Sequence, residues 1–264
     1  MKNEVSGDPS LLGKFAVWTL FSNTLPEHTV QLRSLWEKHR PEFETLGDQP
    51  DCGPKAGAFT LVNFTPRSLR CLWLLSYATI HREETLDLVS STQELMGIDD
   101  EDNFVWPSSV PQVISTPSPD LLKSSPPWVA YYAASFIFLH EFYHIICAGK
   151  ALGAHEEEFL ADKFAVDFFL AVKNAPQEVE LGRQRGISLA FFYISIFTAG
   201  GIFKQTSTHP APAERILRVL KRSGFSEEGW DFTYSWICGA DLISGLQKDV
   251  ICMKTACEEA LNTG

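Results

Sequence analysis

The stretch from Phe136 to Phe169, FIFLHEFYHIICAGKALGAHEEEFLADKFAVDFF, sets the tightest limit on how this chain can fold. It is apolar enough for a protein core, yet it carries three histidines, three consecutive glutamates and two aspartates. An unpaired charge in such surroundings costs several kcal/mol. The ionisable groups must therefore meet partners, and a metal ion suits this mixture of imidazole and carboxylate.

His140-Glu141-Phe142-Tyr143-His144 reads HExxH. Residues four apart share one face of an α-helix, so His140 and His144 can bind one Zn²⁺. Glu141 lies beside that face, within reach of a water at the metal, as a general base. A catalytic zinc needs a third protein ligand. The longer pattern HExxHxxGxxH is excluded, because Cys147 and Lys150 stand at its glycine and final histidine positions. The remaining candidates are His155, Glu156, Glu157, Glu158 and Asp162. Gly149 and Gly153 allow the chain to turn, so that a second helix can fold back and present a carboxylate. We take Glu158 as the ligand. Asp162, one turn on, then accepts a hydrogen bond from a ligand imidazole. Glu156 and Glu157 read as acidic first-turn residues favoured by the helix dipole.

The rest of the chain is ordinary for a water-soluble protein. Its 264 residues suffice for one large domain or two small ones, and 45% hydrophobic content permits a sizeable core. A net charge of −11 argues against nucleic acid, whose phosphates need clustered Lys and Arg. Six cysteines, at 52, 71, 147, 238, 252 and 257, form no CxxC pair. They read as free thiols in a reducing compartment, with Cys147 a small core residue. The N-terminal segment carries Glu4 and Asp8 and makes a poor signal peptide, so the expected location is the cytoplasm.

EHTVQLRSLWEKH places Leu32, Leu35 and Trp36 at helical spacing, and AFTLVNFTP (Ala58 to Pro66) is the best strand candidate. The segment from Ser68 reads as one long helix or two, ending near Gly97. Prolines and serines dominate 107–127, which reads as a linker or long loop between an N-terminal part, 1–106, and a catalytic part, 128–264. SPPW marks a helix start with Ser125 as cap and Pro126 first, running from about Trp128 to Ala148. A second helix should span Glu156 to Val172. The uncharged run Ile187 to Phe203 falls short of the ~20 residues of a membrane span and reads as a buried helix.

HEFYH followed by EFLADKFA resembles the HExxH…ExxAD arrangement of gluzincin metallopeptidases, in particular the CAAX-prenyl-protease and stress-peptidase group. ExxADKFA is also similar to the ImmA/IrrE regulators. STHPAPAERI, from Ser207 to Ile216, resembles the THPxxxxRI segment of the prenyl-protease group and of the phage-exclusion Lit peptidases. The resemblance covers about Trp128 to Leu220. It implies that His209 and Arg215 belong to the active site. His209 would donate to the oxyanion of peptide hydrolysis, and Arg215 would pair with Glu158 or Asp162.

The expected protein is thus mainly α (α+β), a zincin-like fold with a small antiparallel sheet and an HExxH helix. The edge of that sheet would hold an extended peptide by strand addition. Its metal is Zn²⁺, and its partner is a protein or peptide substrate; a membrane is unlikely. The Lit resemblance implies a cytoplasmic endopeptidase of bacterial phage defence, with elongation factor Tu as candidate substrate. The alternatives are an ImmA-type protease that cleaves a repressor, and a zincin-like binding or immunity module without turnover.

Overall fold

A computed structural model describes residues 14–44, 55–57, 61–63, 66–78, 85–98, 104–112, 114, 116–170, 175–197 and 205–223. The described chain is mainly helical. Helices α1 (Lys14–Thr24) and α2 (Thr29–His39) flank a single 3₁₀ turn at Pro26–His28. They are followed by α3 (Pro66–Ala78), α4 (Thr85–Gly97), α5 (Pro126–Cys147), α6 (Ala154–Leu170), α7 (Gln177–Phe197) and α8 (Pro212–Ser223).

Helix α5 is the axle of the fold. Apolar side chains surround it on nearly all sides, the pattern of a helix buried in a core rather than laid on one. Val129, Ala133, Phe136, Ile137, Leu139 and Phe142 are all buried. It packs against α1, α3, α6 and α7. Its start follows the sequence: Ser125 is the cap residue in extended conformation and a proline opens the helix, although the Ser125 hydroxyl makes no capping bond. Its end follows too. Gly149 takes φ +86°, the left-handed conformation that stops a helix, and the chain turns into α6.

Helix α7 begins ten residues before the predicted Ile187, and 198–204 lie outside the described residues. Gly182 and Gly186 look like helix breakers in the sequence, yet both sit inside α7. A Cβ on Gly182 would overlap the Lys123 carbonyl and the Tyr132 ring, and one on Gly186 would overlap Tyr132 itself. Their role is close approach of α7 to α5. The segment 66–97 forms two helices, not one. No helix among the described residues is long and apolar enough to cross a membrane.

Strands β1 (Glu42–Glu44), β2 (Lys55–Gly57) and β3 (Leu61–Asn63) pair in the order β1-β3-β2. β2 runs antiparallel to β3, but β1 runs parallel to it, which corrects the expected antiparallel sheet.

The proline- and serine-rich segment before α5 is pinned at several points. Trp73 Nε1 donates to the Pro111 carbonyl at 2.9 Å, Trp128 Nε1 to the Ser118 carbonyl at 3.2 Å, and Arg185 to the Ser124 carbonyl at 3.2 Å. Buried side chains from α1 through α8 form one cluster. Arg183 ties three elements together: it meets Glu27 at 2.6 Å, the Thr24 carbonyl at 2.9 Å and the Phe169 carbonyl at 3.2 Å.

Candidate metal centre

Helices α5 and α6 pack directly against each other and bring the predicted ligands together. His140 Nε2 and His144 Nε2 face each other at 3.2 Å. Glu158 completes the group, with one oxygen 3.4 Å from His140 Nε2 and the other 3.2 Å from His144 Nε2. These three residues are close enough to bind a metal ion. Metal–nitrogen bonds of 2.0–2.1 Å at tetrahedral angles put donor atoms about 3.3 Å apart, so the spacing fits.

The chemistry of the surrounding groups fits as well. Asp162 Oδ1 lies 3.0 Å from His140 Nδ1, and Glu157 Oε1 lies 2.7 Å from His144 Nδ1. With the Nδ1 proton of each imidazole given to its carboxylate, the Nε2 lone pair of each turns toward the common centre. Two lone pairs and a carboxylate then converge on one point. Two imidazole acceptors and a carboxylate that face one point are stabilised by a cation there.

Arg215 closes the back of the site. It is 2% exposed and makes two hydrogen bonds to Asp162, Nε to Oδ2 at 2.8 Å and Nη2 to Oδ1 at 2.7 Å. Its Nη1 lies 3.0 Å from Glu158 Oε2, so it pairs with both carboxylates that the resemblance suggested as alternatives. The guanidinium also sits over the Phe191 ring of α7. Helix α8 places it there: Pro212 occupies the first helical position, and α8 packs on α6 and α7.

These contacts set the protonation of the side chains. Burial raises the cost of ionising Asp162, but Arg215 overrides it and holds the carboxyl below the usual range. Glu158 is depressed in the same sense: burial opposes its charge, and hydrogen bonds from His140 and His144 and the charge of Arg215 favour it. For His140, burial disfavours protonation, but Asp162 and Glu158 prevail and push it up to about 10, so that a bound metal ion would have to take the place of the Nε2 proton. Burial and the neighbouring Glu157 push the Cys147 thiol up to about 11.

Glu141 is half-buried on α5, close enough for its charge to act on both His144 and Arg215. His209 stands at the rim, 56% exposed, with Nε2 3.6 Å from Glu158 Oε1. Its turn is held by the Thr206 hydroxyl, which accepts the His209 amide at 2.9 Å, and by His155, whose Nε2 meets the Thr206 carbonyl at 2.9 Å. His155 and Glu156, weighed as ligands in the sequence, are outside the convergent group. Glu157 is the residue that sequence reasoning misjudged. It is an acid of the first turn of α6, as read, but it is also the partner of His144. The i, i+13 separation gave no local sign of it. A groove of about 630 Å³ between α6 and α8 is lined by Phe159, Leu160, Val166 and Val219 and reaches Asp162 and Arg215, but neither imidazole lines it.

Cys71 and Cys147 are buried thiols outside any disulfide, and the other four cysteines lie outside the described residues. No curated protein and no solved structure matches the chain. Residues 83–236 match the family model of peptidase U49. That segment spans more than half of the 264 residues and contains every convergent side chain described above, and the chain belongs to the peptidase U49 family.

Proposed function

We propose that this peptidase is a zinc-dependent endopeptidase of gluzincin type, with His140, His144 and Glu158 holding the metal. The observation that carries the reading is the convergence of two Nε2 lone pairs and one carboxylate, each backed by a charged or hydrogen-bonding partner. Zn²⁺ bound there supplies Lewis acidity toward a water and the scissile carbonyl. Glu141 takes the proton of the attacking water and passes it to the leaving amine. His209, at the rim on a braced turn, donates a hydrogen bond to the developing oxyanion. Arg215 holds Asp162 and Glu158, and through them the orientation of His140. The lowered pKa values of Glu158 and Asp162 keep both carboxylates anionic, as a cation site needs.

The matching order of HEFYH, EFLADKFA and THPAPAERI supports kinship with the phage-exclusion Lit peptidases within that broad group. On that reading the protein acts in the bacterial cytoplasm in phage defence, and elongation factor Tu is the substrate to try first. β2 is an edge strand among the described residues in the order β1-β3-β2, and that edge would hold an extended peptide by strand addition.

The test compares wild type with Glu141→Gln, which spares the ligands and removes the base. Both should carry about one zinc per chain by elemental analysis, and only wild type should cleave purified elongation factor Tu or leave new termini in host proteomes. Equal cleavage by the two proteins would sink the mechanism. Metal content far below one would sink the zinc assignment.

A further inference from the structure

We infer that Glu157 is the positioning residue of His144, and that the Cys147 thiol holds the Glu157 carboxylate in place. The inference rests on the zinc reading above and deepens it.

The two imidazoles are held by parallel relays of different make. On one side Arg215 grips Asp162 through two hydrogen bonds, and Asp162 meets His140 Nδ1. On the other side the carboxylate at His144 Nδ1 is Glu157, at 2.7 Å. The same Glu157 oxygen accepts a hydrogen bond from Cys147 Sγ at 3.2 Å. Cys147 follows His144 by three residues on α5, so the thiol and the imidazole share a face. A carboxylate in the first turn of a helix ordinarily turns to water. Glu157 instead bends onto α5, where a buried thiol and an imidazole N–H converge on one of its oxygens. A carboxylate so placed fixes the tautomer of His144 and the angle of its ring, and so aims Nε2 at the metal. The arrangement needs residues from both ends of the α5–α6 turn. The left-handed Gly149 that reverses the chain there is part of the same device.

Zinc affinity by competition with a chromophoric chelator, the visible spectrum of the cobalt-substituted protein and the melting temperature of chelator-treated protein together test this. Glu157→Ala should weaken zinc binding about 10–100-fold and alter the cobalt spectrum, while the chelated protein melts as wild type does. Glu157→Gln, which keeps an acceptor oxygen but no charge, should lose less. Cys147→Ala should show a smaller loss in the same direction, and Cys147→Ser, whose hydroxyl still donates, should restore it. Glu156→Ala is the control and should match wild type. A Glu157→Ala protein with wild-type affinity and cobalt spectrum overturns the inference. The alternative that His144, Cys147 and Glu157 form a second metal site is read from stoichiometry. Two cadmium ions per chain, falling to one in Cys147→Ser, would overturn the positioning role. Failure of the underlying reading looks different: His144→Ala would then keep its zinc.

Discussion

His209 stands apart from the tight ion cluster, and its position decides what its loss should do. It is more than half exposed, its Nδ1 meets the Thr208 hydroxyl at 2.8 Å, and its Nε2 comes no nearer than 3.6 Å to Glu158 Oε1. No ligand depends on it for orientation. Its removal should therefore leave metal binding intact and act on the transition state alone. His209→Ala should fold, keep its zinc and lose about 10²–10³ in turnover, measured as single-turnover cleavage. Arg215 behaves oppositely because it is buried between two carboxylates. Taking away one member of a buried ion pair leaves the other uncompensated, at about 3–5 kcal/mol. Arg215→Ala should thus melt earlier and bind zinc more weakly, since both Glu158 and the Asp162–His140 bond lose their support. Near wild-type turnover in the first variant, or unchanged zinc affinity in the second, would contradict these roles.

At the scale of elements, the contact between α5 and α7 decides whether the HExxH helix is held firmly. Gly182 and Gly186 are one turn apart on the face of α7 that meets Tyr132 and Lys123. In an exposed helix, Gly→Ala stabilises by about 1 kcal/mol. Here the sign should reverse, because the added methyl meets backbone and Tyr132 atoms that cannot move aside. Gly186→Ala should lower stability by about 1–3 kcal/mol. The check is a shift of the urea midpoint at constant slope. An increase in stability would mean that α7 does not press on α5 as closely as described.

For the whole molecule, metal and acid should act through one cluster. Zinc bound only by the folded state stabilises it by mass action, so chelation should lower the melting temperature in a concentration-dependent way. Acid should act even on chelated protein. The depressed pKa of Asp162 contributes stability that is fully present above the ordinary aspartate value of about 3.9 and is lost as pH falls through the lower folded value. Thermal melts from pH 7 down to about pH 2 should therefore show a steeper acid loss for wild type than for Asp162→Asn, whose amide does not titrate. Parallel curves would show that the Asp162–Arg215 pair does not carry this dependence.

The residue types and the 3.6-residue period determined much of this protein by themselves. HExxH on one helical face, a glycine turn and a following ExxxD helix are local relations, and Ser125-Pro126 and Gly149 mark the helix ends by backbone chemistry alone. The fold brings His140, His144 and Glu158 close enough to one another to bind a metal ion, with Asp162 beside His140. Tertiary packing decided the rest. The full length of α7 was hidden because its glycines serve an interhelical contact that no local rule contains. The parallel pairing of β1 with β3 depends on a crossover, not on strand composition. Arg215 could be joined to either carboxylate until α8 packed on α6 and joined it to both. Glu157 read as a first-turn acid and nothing more because the dipole explanation is sufficient within one helix. Only the fold of α6 onto α5 sets its oxygen against His144 and Cys147, where desolvation makes a hydrogen bond to an imidazole worth more than one to water.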